Sequence, residues 1–150
     1  MNKVINEMTL KIKAISINES FARAAIASFC VQAQPNLEEI TDIKTAVSEA
    51  VTNAVVHAYP KEVGYIEITA KLFEDGVEIV VSDMGIGIQD IEKAIEPFFT
   101  TKPHEERSGM GFTVMEGFMD DMQVYSNSSG GLSVKLFKNF QSSGKVIVGE

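Results

Sequence analysis

An alternation of apolar and polar residues is the first pattern in the chain, and it extends over Glu7–Ile15. Apolar side chains at every second position are typical of a strand with one buried face, so this segment is predicted to be the first strand. Tyr65–Phe73 and Val77–Ser82 predict a hairpin, because a Glu-Asp-Gly turn separates the two runs. Met122–Ser126 and Leu132–Phe137 predict a final pair of strands around a glycine-containing turn.

Two helices are predicted between the first strand and the hairpin, over residues 16–32 and 36–58. In the second helix apolar residues recur at helical spacing, and Pro60 follows its predicted end. Each helix begins with the spacing of a capping box, in which a serine or asparagine precedes a glutamate by three positions: Ser16 with Glu19, and Asn36 with Glu39.

Shorter elements complete the predicted order. Two short helices are expected at Asp90–Ile95 and Phe112–Phe118, with an irregular stretch at Pro97–Gly111 that is long enough to be a functional lid. This order of strands and helices predicts an α+β fold, a two-layer sandwich in which helices cover one face of a mixed or antiparallel sheet. Residues 1–140 are predicted to form one domain, and residues 141–150 a loosely held tail.

The composition limits the possible classes of function. Of the 150 residues, 45% are hydrophobic and 23% are charged, which is typical of a globular domain. Cys30 is the single cysteine, and no segment has the pattern of a signal peptide or a membrane span, so a cytoplasmic protein without membrane contact is expected. The net charge of −8 argues against direct binding of nucleic acid.

A row of three polar residues on the second long helix is the first candidate site. Glu49, Asn53 and His57 are four residues apart, so they project from one side of a helix. A carboxylate, an amide oxygen and an imidazole suit a hard cation together with a general base, although a solvated helix face has the same pattern. A zinc site is disfavoured, because the usual ligand set of cysteine and histidine is missing.

Three later segments offer further candidate chemistry. Asp83–Gly87 follows an apolar strand, and its two glycines allow close approach to a ligand, although a tight strand-to-helix turn by itself also accounts for them. Phe98–Pro103 contains two aromatic residues followed by hydroxyl and ammonium groups. This segment is interpreted either as a lid that faces a phosphate or as a pair of aromatic residues in the core. Ser108–Phe112 places glycine N–H groups before a helix, where phosphate binds. The Walker and Rossmann glycine patterns are both absent from the sequence.

Taken together and in this order, the four motifs resemble the boxes of the gyrase, chaperone and histidine kinase (GHKL) ATPase superfamily. The motifs are Glu-x-x-x-Asn-x-x-x-His, Asp-x-Gly-x-Gly, Phe-Phe-Thr-Thr-Lys and Gly-Met-Gly-Phe. Within that superfamily, the chain resembles over nearly its whole length the short serine kinases that act as anti-sigma factors in spore-forming bacteria. This resemblance implies a Bergerat ATP-binding fold, ATP or ADP with Mg²⁺ as cofactors, and a homodimer.

The resemblance also implies roles for individual residues. Glu49 is expected to be the catalytic carboxylate, Asn53 to bind Mg²⁺ and Asp83 to bind the adenine amino group. Gly85 and Gly87 are expected to keep the adenine pocket open. The residues expected to bind the rest of the nucleotide are Thr101, Lys102, Arg107, Ser108, Gly109, Met110 and Gly111.

Three further positions follow from the same resemblance. His57 is expected to help close the nucleotide site, and Arg23 matches a family position at the partner surface. The family often has glycine after the helix histidine, where this chain has Ala58. A positive φ at that position would strain an alanine, whereas a helix that runs one residue longer would not.

The resemblance implies an anti-sigma factor that is also an ATP-dependent protein serine kinase. It would bind and inhibit a sporulation sigma factor and phosphorylate a serine of its anti-anti-sigma antagonist. One alternative is a nucleotide-dependent sigma-binding module without kinase activity. Another is the ATP domain of a histidine kinase, which needs a helical hairpin with a phosphoacceptor histidine, whereas only about 35 residues precede the long helix here.

Overall fold

Five strands form one sheet in the computed structural model, which describes residues 3–87, 91, 95 and 111–141. In chain order the strands are β1 (Val4–Lys13), β2 (Tyr65–Phe73), β3 (Gly76–Asp83), β4 (Asp121–Ser126) and β5 (Leu132–Asn139). They lie side by side in the order β1-β2-β3-β5-β4, and each neighbouring pair is antiparallel. The predicted α+β class is confirmed, and the sheet is antiparallel rather than mixed.

Helices cover one face of this sheet. Alternate side chains of each strand point to opposite faces, so the apolar ones pack on the helices and polar ones such as Glu67 and Lys71 lie on the other face. The sheet register places Lys71 between Glu7 and Glu78, and it places Lys11 beside Glu67. The helices are α1 (Asn18–Cys30), α2 (Leu37–Asn53) and α3 (Gly111–Phe118), with a 3₁₀ turn at Val31–Ala33 and a π-helical turn at Ala54–Ala58.

The capping box at the start of α2 is formed as predicted. Asn36 Oδ1 accepts the N–H of Glu39 (2.7 Å), and Glu39 Oε1 accepts the N–H of Asn36 (2.8 Å). Glu39 is only 7% exposed, and its second oxygen, Oε2, accepts the N–H of Gln141 (2.7 Å). The same carboxylate therefore starts a helix and anchors the chain after β5. The predicted boundary after residue 140 stays a prediction, and residues 142–150 lie outside the described residues.

The capping box predicted at Ser16 is wrong. The residue before α1 is Ile17, whose backbone is already helical, and no side chain caps the helix. The carboxylate of Glu19 instead pairs with Arg23 one turn further on (3.1 Å). The N–H of Glu19 is satisfied by the backbone carbonyl of Ser16 (3.1 Å). The spacing of Ser16 and Glu19 gives no sign that Arg23 binds the carboxylate that a capping box would need.

Most predicted bounds agree with the structure within two residues, and β1 is the main exception. It begins at Val4 rather than Glu7, because its first residues are exposed on an edge strand and carry no alternating signal. Of the predicted helix at Asp90–Ile95 only two residues are described, and the N–H of Ile95 donates to the carbonyl of Ile91 (3.2 Å), as in a helical turn. The predicted irregular stretch lies outside the described residues up to Gly111.

Lys138 on β5 joins two helices. Its Nζ donates to Asp42 Oδ2 on α2 (2.9 Å) and to the carbonyl of Phe118, the last residue of α3 (2.7 Å). A cation is favourable at this end of a helix, because unpaired carbonyl groups concentrate negative charge there. Since α3 has only eight residues, fixing its C-terminal end also fixes Gly111 at its N-terminal end.

Replacement of Glu39 by alanine tests the double role of its carboxylate. Glu39→Ala leaves the N–H groups of Asn36 and Gln141 without their acceptor, so we expect a loss of about 2 kcal/mol in the free energy of unfolding. This corresponds to a fall of about 4–8 °C in the midpoint of thermal unfolding. Glu38→Ala is the matched control, because Glu38 is an exposed carboxylate in the same first turn of α2. Equal losses of stability in the two variants would show that the negative charge near the N-terminus of α2, and not the hydrogen bonds of Glu39, is responsible.

Candidate functional site

A cavity of about 40 Å³ lies between the C-terminal part of α2 and the strands β3 and β5. Four of the predicted nucleotide-binding residues line it, and these are Asn53, His57, Asp83 and Gly87. The other lining residues are apolar: Ala50, Ala54, Ala58, Val81, Phe112, Leu132 and Val134. Helix and strand residues that are far apart in the sequence therefore meet here, and most of the wall is apolar.

Asp83 ends β3 and is only 5% exposed. Its Oδ1 accepts the N–H groups of Gly85 (3.0 Å) and Leu132 (3.2 Å). Burial raises the pKa of Asp83 above its ordinary value of 3.8, and the two N–H bonds oppose this shift without cancelling it. Within the described part of the chain, Oδ2 of Asp83 has no hydrogen-bond partner. This second oxygen is therefore available to accept a hydrogen bond from a ligand.

Asn53, the last residue of α2, contributes a side-chain amide. Its Nδ2 is buried and is bonded to no other group of the described residues. The amide lies against the first residue of α3, because a Cβ on Gly111 would be 3.0 Å from both Nδ2 and Oδ1. A buried polar group without a partner costs free energy, so the arrangement favours a ligand that supplies the missing bond. Rotation of the amide by 180° exchanges its oxygen and nitrogen.

The glycines of the Asp83–Gly87 loop are needed for close packing. A Cβ on Gly85 would lie 2.0 Å from the carbonyl oxygen of Ala58, and that oxygen accepts the N–H of Ile86 (3.0 Å). Gly87 has a φ of +73° and approaches the carbonyl oxygen of Gly130, which would be 2.6 Å from an added Cβ. Both glycines therefore let the loop contact its neighbours, whatever role they have toward a ligand.

The helix that carries Asn53 continues through His57 with altered geometry. The predicted helix does reach Ala58, but its last five residues form a π-helical turn. Such turns bond each residue to the fifth one along and are frequent at functional sites. The angular relation between Asn53 and His57 therefore differs from that of the predicted α-helical row. Ala58 shows no backbone strain, since Gln34 is the single described residue other than glycine with a positive φ.

Glu49 and Arg23 share a second concave surface, a groove of about 410 Å³ between α1 and α2. The other residues of this groove are Thr41, Lys44, Thr45 and Ser48. Arg23 donates to Oε2 of Glu19 (3.1 Å) and to Oγ of Ser48 (3.5 Å). Glu49 does not line the cavity that contains Asn53, although it is one turn before Asn53 on α2. The structure thus brings the predicted catalytic and partner residues together, and it separates both from the Asp83 cavity.

Asn127 supports the site and was not predicted from the sequence. Its Nδ2 donates to the carbonyl of Asp83 (2.9 Å) and to Oγ of Ser133 (3.2 Å). Its Oδ1 accepts the N–H groups of Ser129 and Gly131 (both 3.1 Å). A Cβ on Gly131 would lie 2.2 Å from the carbonyl oxygen of Asp83. The Asn-Ser-Ser-Gly-Gly sequence signals a turn, but nothing in it signals contact with Asp83.

Several predicted residues lie outside the described part of the chain, namely Thr101, Lys102, Arg107, Ser108, Gly109 and Met110. Among the residues that are described, no helix is both long and apolar enough to span a bilayer. The same residues contain no cluster of three or more acidic, histidine or cysteine side chains suited to a metal ion.

Comparison with known proteins extends these observations. A family model described as a histidine kinase-like ATPase domain matches residues 16–138. An anti-sigma F factor from Caldanaerobacter subterraneus subsp. tengcongensis is 52% identical over 133 residues, which are 89% of this chain and 93% of the relative. The anti-sigma F factor of Clostridium novyi is 49% identical over 138 residues, covering 91% of this chain and 96% of the relative. That of Bacillus thuringiensis is 50% identical over 139 residues, with coverages of 92% and 95%.

Two solved structures have a similar fold. The RsbU and RsbW domains of a Mycobacterium tuberculosis protein match with a TM-score of 0.65 and 19% identity, over 92% of this chain and 33% of that one. The histidine kinase domain of a blue-light activated histidine kinase from Erythrobacter litoralis matches with a TM-score of 0.54 and 18% identity, over 88% of this chain and 65% of that one. This chain thus spans about a third of the first structure and just under two thirds of the second. By its sequence and its fold, the chain belongs to the family of histidine kinase-like ATPase domains and, within it, to the anti-sigma F factor family.

Proposed function

We propose that the chain is a cytoplasmic anti-sigma factor and ATP-dependent serine kinase. It binds and inhibits a sporulation sigma factor, and it uses Mg-ATP to phosphorylate a serine of its anti-anti-sigma antagonist. The observation that carries the proposal is the convergence of Asn53 and Asp83, thirty positions apart, on one mostly apolar cavity. The names of the relatives at about 50% identity support the anti-sigma part.

The adenine of ATP or ADP fits the chemistry of the Asp83 end of the cavity. The amino group of adenine is a donor, and Oδ2 of Asp83 is an acceptor without a partner in the described structure. The apolar wall formed by residues such as Val81, Leu132 and Val134 suits a flat ring system. An ionised Asp83 is required for this role, because a protonated carboxyl group presents a donor to a donor.

The Asn53 end of the cavity fits the phosphates and Mg²⁺. An amide oxygen is a ligand that Mg²⁺ accepts. The Nδ2 atom of Asn53 is buried without a partner among the described residues, so no hydrogen bond of Nδ2 to them stops the amide from turning its oxygen toward the ion. Gly111 lies against that amide at the N-terminus of α3, where N–H groups attract phosphate. Asn53 together with the phosphates would hold the ion. When bound, Mg²⁺ neutralises charge on the phosphates.

Other residues complete the proposed nucleotide site. His57, which lines the cavity beside Asn53, helps to close it. The part of the chain between Gly87 and α3 supplies the remaining contacts with the triphosphate, from residues outside the described structure. They are Thr101, Lys102, Arg107, Ser108, Gly109 and Met110. Lys102 and Arg107 compensate phosphate charge on a protein whose net charge is −8.

The groove between α1 and α2 is the proposed approach of the protein substrate. Glu49 in this groove acts as the general base: it accepts the proton of the substrate serine, whose oxygen bonds to the γ-phosphorus as the bond to ADP breaks. Arg23 in the same groove contacts the protein partner, so partner binding and phosphate transfer occur side by side. The active form is a homodimer.

A binding module without kinase activity is the second candidate function. The observation that favours it is the position of Glu49, which lines the groove and not the cavity. In this case nucleotide binding only stabilises the surface that holds the sigma factor. Phosphate transfer by the purified wild type distinguishes the two candidates.

Replacement of Asp83 by asparagine separates nucleotide binding from folding. The new Oδ1 can still accept the N–H groups of Gly85 and Leu132, but the amide N–H₂ faces the adenine amino group, so a donor meets a donor. We expect Mg-ATP at about a hundredfold excess over Kd to stabilise the wild type by about 2.7 kcal/mol, measured from thermal unfolding, and Asp83→Asn to show no such increase. The control Asp121→Asn, at an exposed position of β4, should respond like the wild type.

The thermal stability of Asp83→Asn without nucleotide is a separate prediction. The folded pKa of Asp83 lies above 3.8, so the stability that this group contributes is full below that pH and is lost as the pH rises through the folded pKa. At pH 7 the wild type therefore carries the cost of burying an ionised carboxylate, and Asp83→Asn removes that cost. The variant should unfold at pH 7 at the same temperature as the wild type or at a higher one. A full response of the variant to Mg-ATP would contradict the adenine assignment.

Replacement of Glu49 by glutamine tests the catalytic assignment. A general base contributes about 10²–10⁴ to the rate, so kcat for phosphate transfer to the antagonist should fall by that factor. The affinity for Mg-ATP should not change, because Glu49 does not line the cavity. Glu38→Gln, an exposed position on the same helix, is the control and should keep full activity. Equal transfer by Glu49→Gln and the wild type would refute the assignment.

Replacement of Arg23 by glutamine tests the partner surface. Arginines that anchor protein interfaces commonly contribute a factor of about ten or more, so the affinity for the sigma factor should fall by at least about tenfold. The ion pair with Glu19 is partly exposed and adds little stability, so folding should be unaffected. Lys61→Gln, at another exposed position, is the control. An unchanged affinity, measured by calorimetry, would place the partner elsewhere.

A further inference from the structure

Tyr59 connects three segments around the proposed nucleotide site, although it belongs to none of the four motifs. Its ring lies against Gly64, where an added Cβ would be 2.1 Å from Cε1 of the ring. Its hydroxyl donates to the carbonyl of Tyr65 at the start of β2 (2.6 Å) and accepts the N–H of Met84 (2.8 Å). One side chain therefore links the end of the π-helical turn to the hairpin and to the residue after Asp83.

The Asp83–Gly87 loop is held mainly through its backbone. Its side chains give little anchorage, because Met84 is 48% exposed and Ile86 is 68% exposed. Three consecutive N–H groups are each bonded to a different acceptor: Met84 to the Tyr59 hydroxyl, Gly85 to Asp83 Oδ1, and Ile86 to the carbonyl of Ala58. Two of these acceptors lie where the π-helical turn ends, so that turn sets the position of the loop.

We propose that Tyr59 is a positioning residue for nucleotide binding, and that its hydroxyl holds the Asp83–Gly87 loop in the conformation that aims Asp83 at the ligand. This inference rests on the proposed function, because it assumes that Asp83 binds adenine. It goes beyond the motif residues, because Tyr59 lines no part of the cavity. Loss of the hydroxyl leaves the Met84 N–H to water and lets the loop occupy other positions, and nucleotide binding then has to reorder it.

The variant Tyr59→Phe removes the hydroxyl and keeps the ring that packs against Gly64. We expect the Kd for Mg-ATP to rise by about twofold to tenfold, the range typical of one neutral hydrogen bond. The measurement is calorimetry at a temperature well below thermal unfolding. At saturating Mg-ATP kcat should be unchanged while KM for ATP rises by the same factor, a division that a general loss of stability does not produce. Tyr125→Phe is the control, because the Tyr125 hydroxyl makes no bond in the described structure.

A second measurement follows the loop itself. In Tyr59→Phe the amide hydrogen of Met84 should exchange faster with solvent, whereas that of Val80 within β3 should be unchanged. Gly64→Ala displaces the ring from the other side and should also weaken nucleotide binding. An unchanged Kd in Tyr59→Phe overturns the inference alone. A wild type that does not bind Mg-ATP overturns the proposed function and the inference with it.

Discussion

The carboxylate of Asp83 is buried at the end of β3, and two other chain segments are positioned by the need to satisfy it. Its Oδ1 requires the N–H groups of Gly85 and Leu132, so the following loop and the start of β5 must both approach it. That approach is possible only without side chains at Gly85 and Gly131, where an added Cβ would lie within 2.2 Å of a backbone oxygen. Because a buried carboxylate without partners is costly, the surrounding geometry is strongly determined.

Helix α2 connects this buried site to the protein surface. Glu39 and Asp42 fix its N-terminal part to the end of β5, through Gln141 and Lys138. Its C-terminal part then faces two different spaces, since Asn53 lines the cavity and Glu49 lines the groove toward α1. In the proposed function, nucleotide and protein substrate would meet the same helix one turn apart, at Asn53 in the cavity and at Glu49 in the groove.

The sequence was sufficient to predict the fold because its strands have one buried face. Alternation located β1 except for its exposed first residues, and turn residues between apolar runs located the pairs β2–β3 and β4–β5. Helix starts were less certain, because two identical spacings gave one capping box at Asn36 and none at Ser16. The difference is that a neighbouring arginine binds Glu19, whereas the carboxylate of Glu39 is buried beside the backbone groups it accepts.

The candidate site was predictable where motifs carry it, and only there. Asn53, His57, Asp83 and Gly87 were named from the sequence, and the structure places them around one cavity. Tyr59 and Asn127 were not, because they act on backbone groups that are 25 and 44 positions away. Such bonds leave no periodic pattern and no composition signal, since any segment offers the same N–H and carbonyl groups.

The separation of cavity and groove also bears on the proposed choice of the phosphate acceptor. A histidine kinase domain shares this fold with a TM-score of 0.54, although its identity to the chain is only 18%. Similarity of fold therefore does not identify the group that receives phosphate. In the proposed mechanism the cavity binds only the nucleotide, whereas Glu49 and Arg23 meet the protein partner in the groove. In that mechanism the α1–α2 surface, rather than the cavity, would select a serine as the acceptor.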